Sequence, residues 1–102
     1  MIVVTARVPI LPDRRDAFLA SARACVAATR QEAGCEGYDI YESVTSPELF
    51  VSIERWSSRA ALDRHYAAAH VQALFGVIAE TASAPPVIEE IVPAAPAGMD
   101  GS

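Results

Sequence analysis

Two side chains in this sequence have an ordinary pKa close to neutrality, His65 and His70, so they are the natural candidates for general acid–base work. Around them lie Glu54, Trp56 and Tyr66, with Tyr38, Tyr41 and Arg7 as further neighbours once the chain folds. Each has a plainer reading. His65 can lie on a helix surface, His70 can be a cap or core residue with a satisfied ring, and Trp56 can be core packing. Glu54 is more constraining, because a carboxylate on a strand covered on both sides must be paired, hydrogen-bonded or protonated. Arg7 on the first strand is a candidate partner for it.

Other chemistries find no foothold. The sequence contains no GxGxxG, P-loop, CxxC or GxSxG pattern, which removes the usual signals of nucleotide, dithiol and hydrolase sites. The histidines are five apart, not the four that sets two ligands on one helix face, and no neighbouring Cys or acid completes a set of three. No metal is therefore expected. Cys35, beside Gly34 in a turn, has no adjacent base to activate it and reads as inert. Together with Cys25 it is expected to be a free thiol of a reducing compartment.

The elements that must hold these residues follow from periodicity. Ile2 to Val8 is apolar and β-branched, a strand. Asp13, with Asp16 three residues on, predicts a helix start. Phe18, Ala22, Cys25 or Val26, and Thr29 then recur at helical spacing toward Gly34 as C-cap. Tyr38, Ile40 and Glu42 alternate with Asp39, Tyr41 and Ser43, and the Thr45–Glu48 turn joins this strand to Leu49–Trp56 as a hairpin. Ser57-Ser58 opens a helix carrying His65 and Tyr66. An alanine elbow at 67–69 leads to a stripe of Val71, Leu74, Phe75 and Ile78, and Val87–Val92 is the last strand. The order β-α-β-β-α-β predicts an α+β, ferredoxin-like fold with an antiparallel sheet and helices on one face. A domain over residues 1–93 and a flexible tail over 94–102 are expected.

The chain has 102 residues, 52% of them hydrophobic, and a net charge of −5. That is enough for one domain with a real core. The acidic balance and scattered arginines argue against nucleic acid or an anionic membrane as partner, and no apolar run approaches a membrane span. The opening MIVVTARV reads as a strand, not a signal peptide, so a cytoplasmic location is expected. The sheet face away from the helices carries Val and Ile, and a bare apolar face of this kind predicts a homodimer with paired sheets.

Taken in order, Glu32-Ala33-Gly34-Cys35-Glu36-Gly37-Tyr38, Ile53-Glu54-Arg55-Trp56-Ser57-Ser58, then Leu62, His65 and His70 resemble the antibiotic-biosynthesis-monooxygenase family, above all its small bacterial quinol monooxygenases. The resemblance runs over about residues 2–92. It implies a dimeric α/β-barrel type of assembly, a pocket between sheet and helices, and oxygenation of hydroquinones or anthrones by O₂ with no cofactor. Haem-degrading relatives carry an Asn on the first strand where this chain has Thr5-Ala6-Arg7, which disfavours haem chemistry. On this reading His65 is the base and Trp56 shapes the pocket. His70, Tyr66 and Arg7 are candidate donors, Glu54 orients one of them, and Tyr38 completes the substrate site. Two other readings stay open: an isomerase of a small carbonyl or sugar-phosphate compound using the histidine pair, and a non-catalytic dimer that binds an apolar small molecule.

Overall fold

A computed structural model describes residues 1–94. Of the expected tail, residues 95–102 lie outside the described residues. Strand β1 (Ile2–Pro9) occupies the middle of a four-stranded sheet with β3 (Leu49–Trp56) on one side and β4 (Val87–Ile91) on the other. β2 (Cys35–Glu42) lies outside β3, giving the order β2-β3-β1-β4, antiparallel throughout. Helices α1 (Arg15–Thr29), α2 (Arg59–Ala67) and α3 (Ala69–Thr81) complete the ferredoxin-like α+β fold. None of the described helices is long and apolar enough to cross a membrane.

Two-residue alternation sorts the sheet into faces. Ile2, Val4 and Val8 of β1 and Phe50, Ser52, Glu54 and Trp56 of β3 are buried beneath the helices. α1 meets them with Phe18, Ala22, Cys25 and Thr29, the stripe expected from spacing, and Phe18 packs on Phe50 with ring centroids 4.7 Å apart. The opposite face presents Val51, Ile53, Val87 and Ile91, with Tyr41, Arg7 and Glu89 among them. Ile53, Val87 and Ile91 are each about half exposed in the single chain.

Two expectations change. Asp13 does not cap α1. Pro12 starts a single 3-10 turn (Pro12–Arg14), so Asp13 falls inside that turn, and the N-cap is Arg14 with no side-chain bond. Pro12 fixes the backbone angle that begins the turn, one step earlier than the Asp signal implied. Gly34 does not cap α1 either. The helix ends at Thr29, and Gly34, with φ of +86°, closes the following turn before β2. Its carbonyl accepts from Ser57 N at 2.9 Å. A Cβ there would sit 2.5 Å from the Ala61 Cβ, so this turn lies hard against the start of α2.

Candidate functional site

Glu54 lies on the inner face of β3 because it is two residues from both Ser52 and Trp56, and it is only 5% exposed. Its carboxylate accepts from Ser52 Oγ at 2.8 Å and from Trp56 Nε1 at 3.1 Å. Burial pushes the Glu54 carboxyl above the ordinary range, while those two donors and nearby His65 pull the other way. Trp56 is fully buried. It backs the site instead of lining its cavity, with its ring 4.4 Å from that of His65.

His65 is placed by α2, whose first turn is capped by Ser58 Oγ accepting from Ala61 N at 3.1 Å. The imidazole is 3% exposed, so the helix-surface reading fails. Its Nδ1 lies 2.7 Å from Glu32 Oε2, and its Nε2 lies 3.6 Å from Glu54 Oε1. In the tautomer that donates from Nδ1 to Glu32, the Nε2 lone pair faces Glu54. The same Glu32 oxygen lies 3.0 Å from His70 Nε2. His70 comes from the first turn of α3, beyond the break at Ala68, where ψ of 143° interrupts the helix. Glu32 itself stands in the turn after α1, anchored by its N–H to Thr29 O at 3.0 Å and held against α2 by the tight fit at Gly34.

Beside this chain of groups lies a cavity of about 60 Å³ between the sheet and α3. Tyr38, Ser52, Glu54, His65 and Tyr66 contribute the polar part of its wall, and Phe50, Leu74, Phe75 and Ile88 are among its apolar residues. Tyr66 donates its hydroxyl to Glu90 at 2.8 Å, and Tyr38 OH lies 3.8 Å from Cys25 Sγ. Burial raises the phenol pKa of both tyrosines, so each stays a neutral hydroxyl.

Arg7 takes no part in this. It pairs across the sheet with Val51 and Val87, its guanidinium meets Glu89 at 3.6 Å, and it belongs to the outer face. Alternation explains the miss: Val4, not Arg7, stands opposite Glu54. Folding also assembles a set of three potential metal ligands that spacing along the chain does not reveal. Glu32, His65 and His70 bring one ligand atom each to within 4.8 Å of one another. The third member comes from 33 residues upstream of His65, well outside the histidines' neighbourhood in the sequence. Glu32 was visible only as part of the turn motif before Tyr38.

The electrostatics are unusual in one respect. All eight basic residues are arginine. Among the described residues, the ion pairs of Arg7, Arg15, Arg30 and Arg59 are made with Glu89, Glu42, Asp39, Asp63 and Glu90. The ion-pair contacts of Glu32 and Glu54 are with imidazoles and not with arginine.

Residues 1–76 match the family described as antibiotic biosynthesis monooxygenase. The chain belongs to that family. Among curated relatives, YcnE of Bacillus subtilis (strain 168) is 36% identical over 85 residues, which cover 83% of this chain and 90% of YcnE. Rv0793 of Mycobacterium tuberculosis is 37% identical over 92 residues, 90% of each chain. Among solved structures, one of an antibiotic biosynthesis monooxygenase superposes with a TM-score of 0.87 at 34% identity, covering 93% of this chain and all of that one. The structure of Rv0793 gives 0.86 at 34% identity, covering 94% and 97%. The family match ends at residue 76, so it takes in every group of the Glu32–His65–His70 cluster and the whole of β3 and α2.

Proposed function

We propose that this antibiotic biosynthesis monooxygenase family member oxidises an electron-rich aromatic, a hydroquinone or an anthrone, with O₂ and no cofactor. One observation carries the reading: His65, backed by Glu32, directs Nε2 toward Glu54 at the wall of a largely apolar cavity. His65 takes a proton from the substrate's hydroxyl or acidic C–H, and the resulting anion donates two electrons to O₂ as a carbon–oxygen bond forms. Loss of water from the peroxide breaks the O–O bond and leaves a carbonyl, so one oxygen atom enters the product and the other leaves as water. The neutral Tyr38 hydroxyl at the cavity wall is a donor for a developing oxyanion, and the Tyr66 hydroxyl joins it by giving up its bond to Glu90. His70 acts through Glu32, and Trp56 acts by holding Glu54 and packing its tilted ring against His65. The free thiols Cys25 and Cys35 fit a reducing, cytoplasmic setting.

The cavity is smaller than a substituted aromatic ring, since a cavity of about 150 Å³ is what accepts benzene. Binding therefore widens it. A homodimer fits the same picture, with a second copy covering Val51, Ile53, Val87 and Ile91.

An oxygen electrode with metal-free protein and a panel of hydroquinones and anthrones tests the reading. Oxygen uptake should match substrate loss, and His65→Ala should lower turnover about 10²–10⁴-fold without unfolding the protein. An unchanged rate in His65→Ala removes the base. The Glu54–His65 pair also suits proton shuttling between two carbons of a carbonyl compound, and turnover that persists without O₂ would favour that isomerase reading.

A further inference from the structure

The geometry points to a second use of the same cluster: Glu32, His65 and His70 form a binding site for a borderline divalent transition metal of the Zn²⁺ type. Three observations converge on it. The donors are two imidazole nitrogens and one carboxylate oxygen, a set that suits such ions. They already lie at 2.7 and 3.0 Å around a shared oxygen and within 4.8 Å of one another. Zn–N and Zn–O bonds of about 2.0–2.2 Å in a tetrahedral site place ligand atoms roughly 3.4 Å apart, so both N···O pairs open by less than about 1 Å and the two ring nitrogens start within 4.8 Å. The second observation is behind the ring: Glu54 Oε1 lies 3.6 Å from His65 Nε2. At 3.6 Å this is a proximity and not yet a hydrogen bond, and a small turn of the ring would make it the carboxylate support that recurs behind metal-bound imidazoles.

The third observation is charge. The cluster and its support contain two carboxylates, and no arginine pairs with either among the described residues. Glu54 is held by Ser52 and Trp56 as well as by His65, whereas Glu32 has the two imidazoles as its side-chain partners, and a divalent ion would supply there what a guanidinium supplies elsewhere in the chain. Glu32 and His70 remain partly exposed at 16% and 27% of their side chains. The ion thus sits at the edge of the protein, with room for water in its fourth position.

Metal on Nδ1 has a defined consequence for His65. It moves the ring proton to Nε2, where it faces Glu54, and removes the lone pair that the proposed oxygenation requires. The ion is then an inhibitor acting by tautomer, and this consequence, unlike the binding, rests on His65 being the base.

Calorimetry on tag-free protein with Zn²⁺ alone tests the site, with Co²⁺ as a visible probe. We expect one ion per chain, and visible Co²⁺ absorption of a four-coordinate site that Zn²⁺ abolishes. Glu32→Gln and His70→Ala should each weaken binding by about tenfold or more, while a Cys25→Ser/Cys35→Ser double variant binds as the parent does. Absence of binding at stoichiometric concentration, binding indifferent to both ligand substitutions, or loss of binding in the cysteine variant overturns the site. If Glu32→Gln does not fold, His70→Ala at the more exposed ligand decides. Slowing of hydroquinone turnover by Zn²⁺, half-complete at the calorimetric Kd, supports the tautomer effect, and full activity with the metal bound overturns that effect alone. Protein that binds Zn²⁺ yet oxidises no aromatic defeats the oxygenase reading and leaves the metal site standing.

Discussion

Replacing Glu32 by Gln keeps the side chain's shape but removes the charge that His65 and His70 share through one oxygen. A hydrogen bond to a charged group contributes about 1.5–3 kcal/mol, so metal-free Glu32→Gln should lose roughly 10–10²-fold in kcat, with KM little changed because Glu32 does not touch the cavity. Steady-state kinetics on the folded variant checks it. Trp56→Phe keeps most of the aromatic area and deletes the donor to Glu54 Oε1. It should destabilise the protein by about 1–3 kcal/mol, read as a shift in the urea midpoint. His65 and Glu54 were legible as residues because an imidazole near neutrality and a carboxylate on an inner strand face are each unusual. Glu32 was not, since its meaning depends on a turn that folding carries 33 and 38 residues along the chain to its partners. Arg7 misled for the opposite reason: being on a neighbouring strand does not put a side chain on the same face.

The elements hold the site through a few tight joints. At Gly34 a positive φ meets a close approach to Ala61, so Gly34→Ala should cost about 1–2 kcal/mol from backbone strain alone, with steric conflict adding to it. Gly76, exposed in α3 with open space where a Cβ would go, predicts the reverse: Gly76→Ala should stabilise by about 0.4–1 kcal/mol. Denaturation of the two variants side by side tests both signs. Arg15, at the start of α1, bonds Glu42 at the end of β2, and Glu42 also accepts from Glu48 N. The Arg15 guanidinium, and then the Glu48 amide, hold the Glu42 carboxyl below its ordinary value of 4.5. Its stabilisation is therefore complete above that value and fades as pH falls through the depressed one. Arg15→Gln should flatten the acid limb of a stability–pH curve and leave the neutral region nearly unchanged in slope. Strand alternation and the Phe18–Thr29 stripe made the topology readable, because each follows from a local period. The start of α1 was not readable to the residue, because Pro12 and Asp13 are competing signals and only the backbone decides between them.

For the whole molecule, the proposed pairing of sheets gives a direct expectation. Light scattering should report twice the chain mass in solution, and Ile53→Glu, placed at the centre of the outer face beside Thr5 and Asp39, should give a monomer with an unchanged far-UV spectrum. A dimer that survives this substitution would move the interface elsewhere. The apolar outer face was legible from the sequence because Val and Ile occupy both sides of the first and last strands. The cavity was not, because it is a remainder left by how α3 packs.

The break at Ala68 sets how that remainder can change. His65 rides on α2 and Glu54 on β3, whereas His70 rides on α3, the helix that also supplies Val71, Leu74, Phe75 and Ile78 to the cavity wall. A guest too large for the resting space would push α3 outward about the elbow, and the strain would fall on the hydrogen bonds that tie α3 to the stationary side, Gln72 to the Tyr66 carbonyl and, within the cluster, the contact of Glu32 with His70. That contact is the latch of the chamber: occupancy should disturb the nitrogen resonances of His70 while the His65–Glu32 bond, on the stationary side, stays as it was.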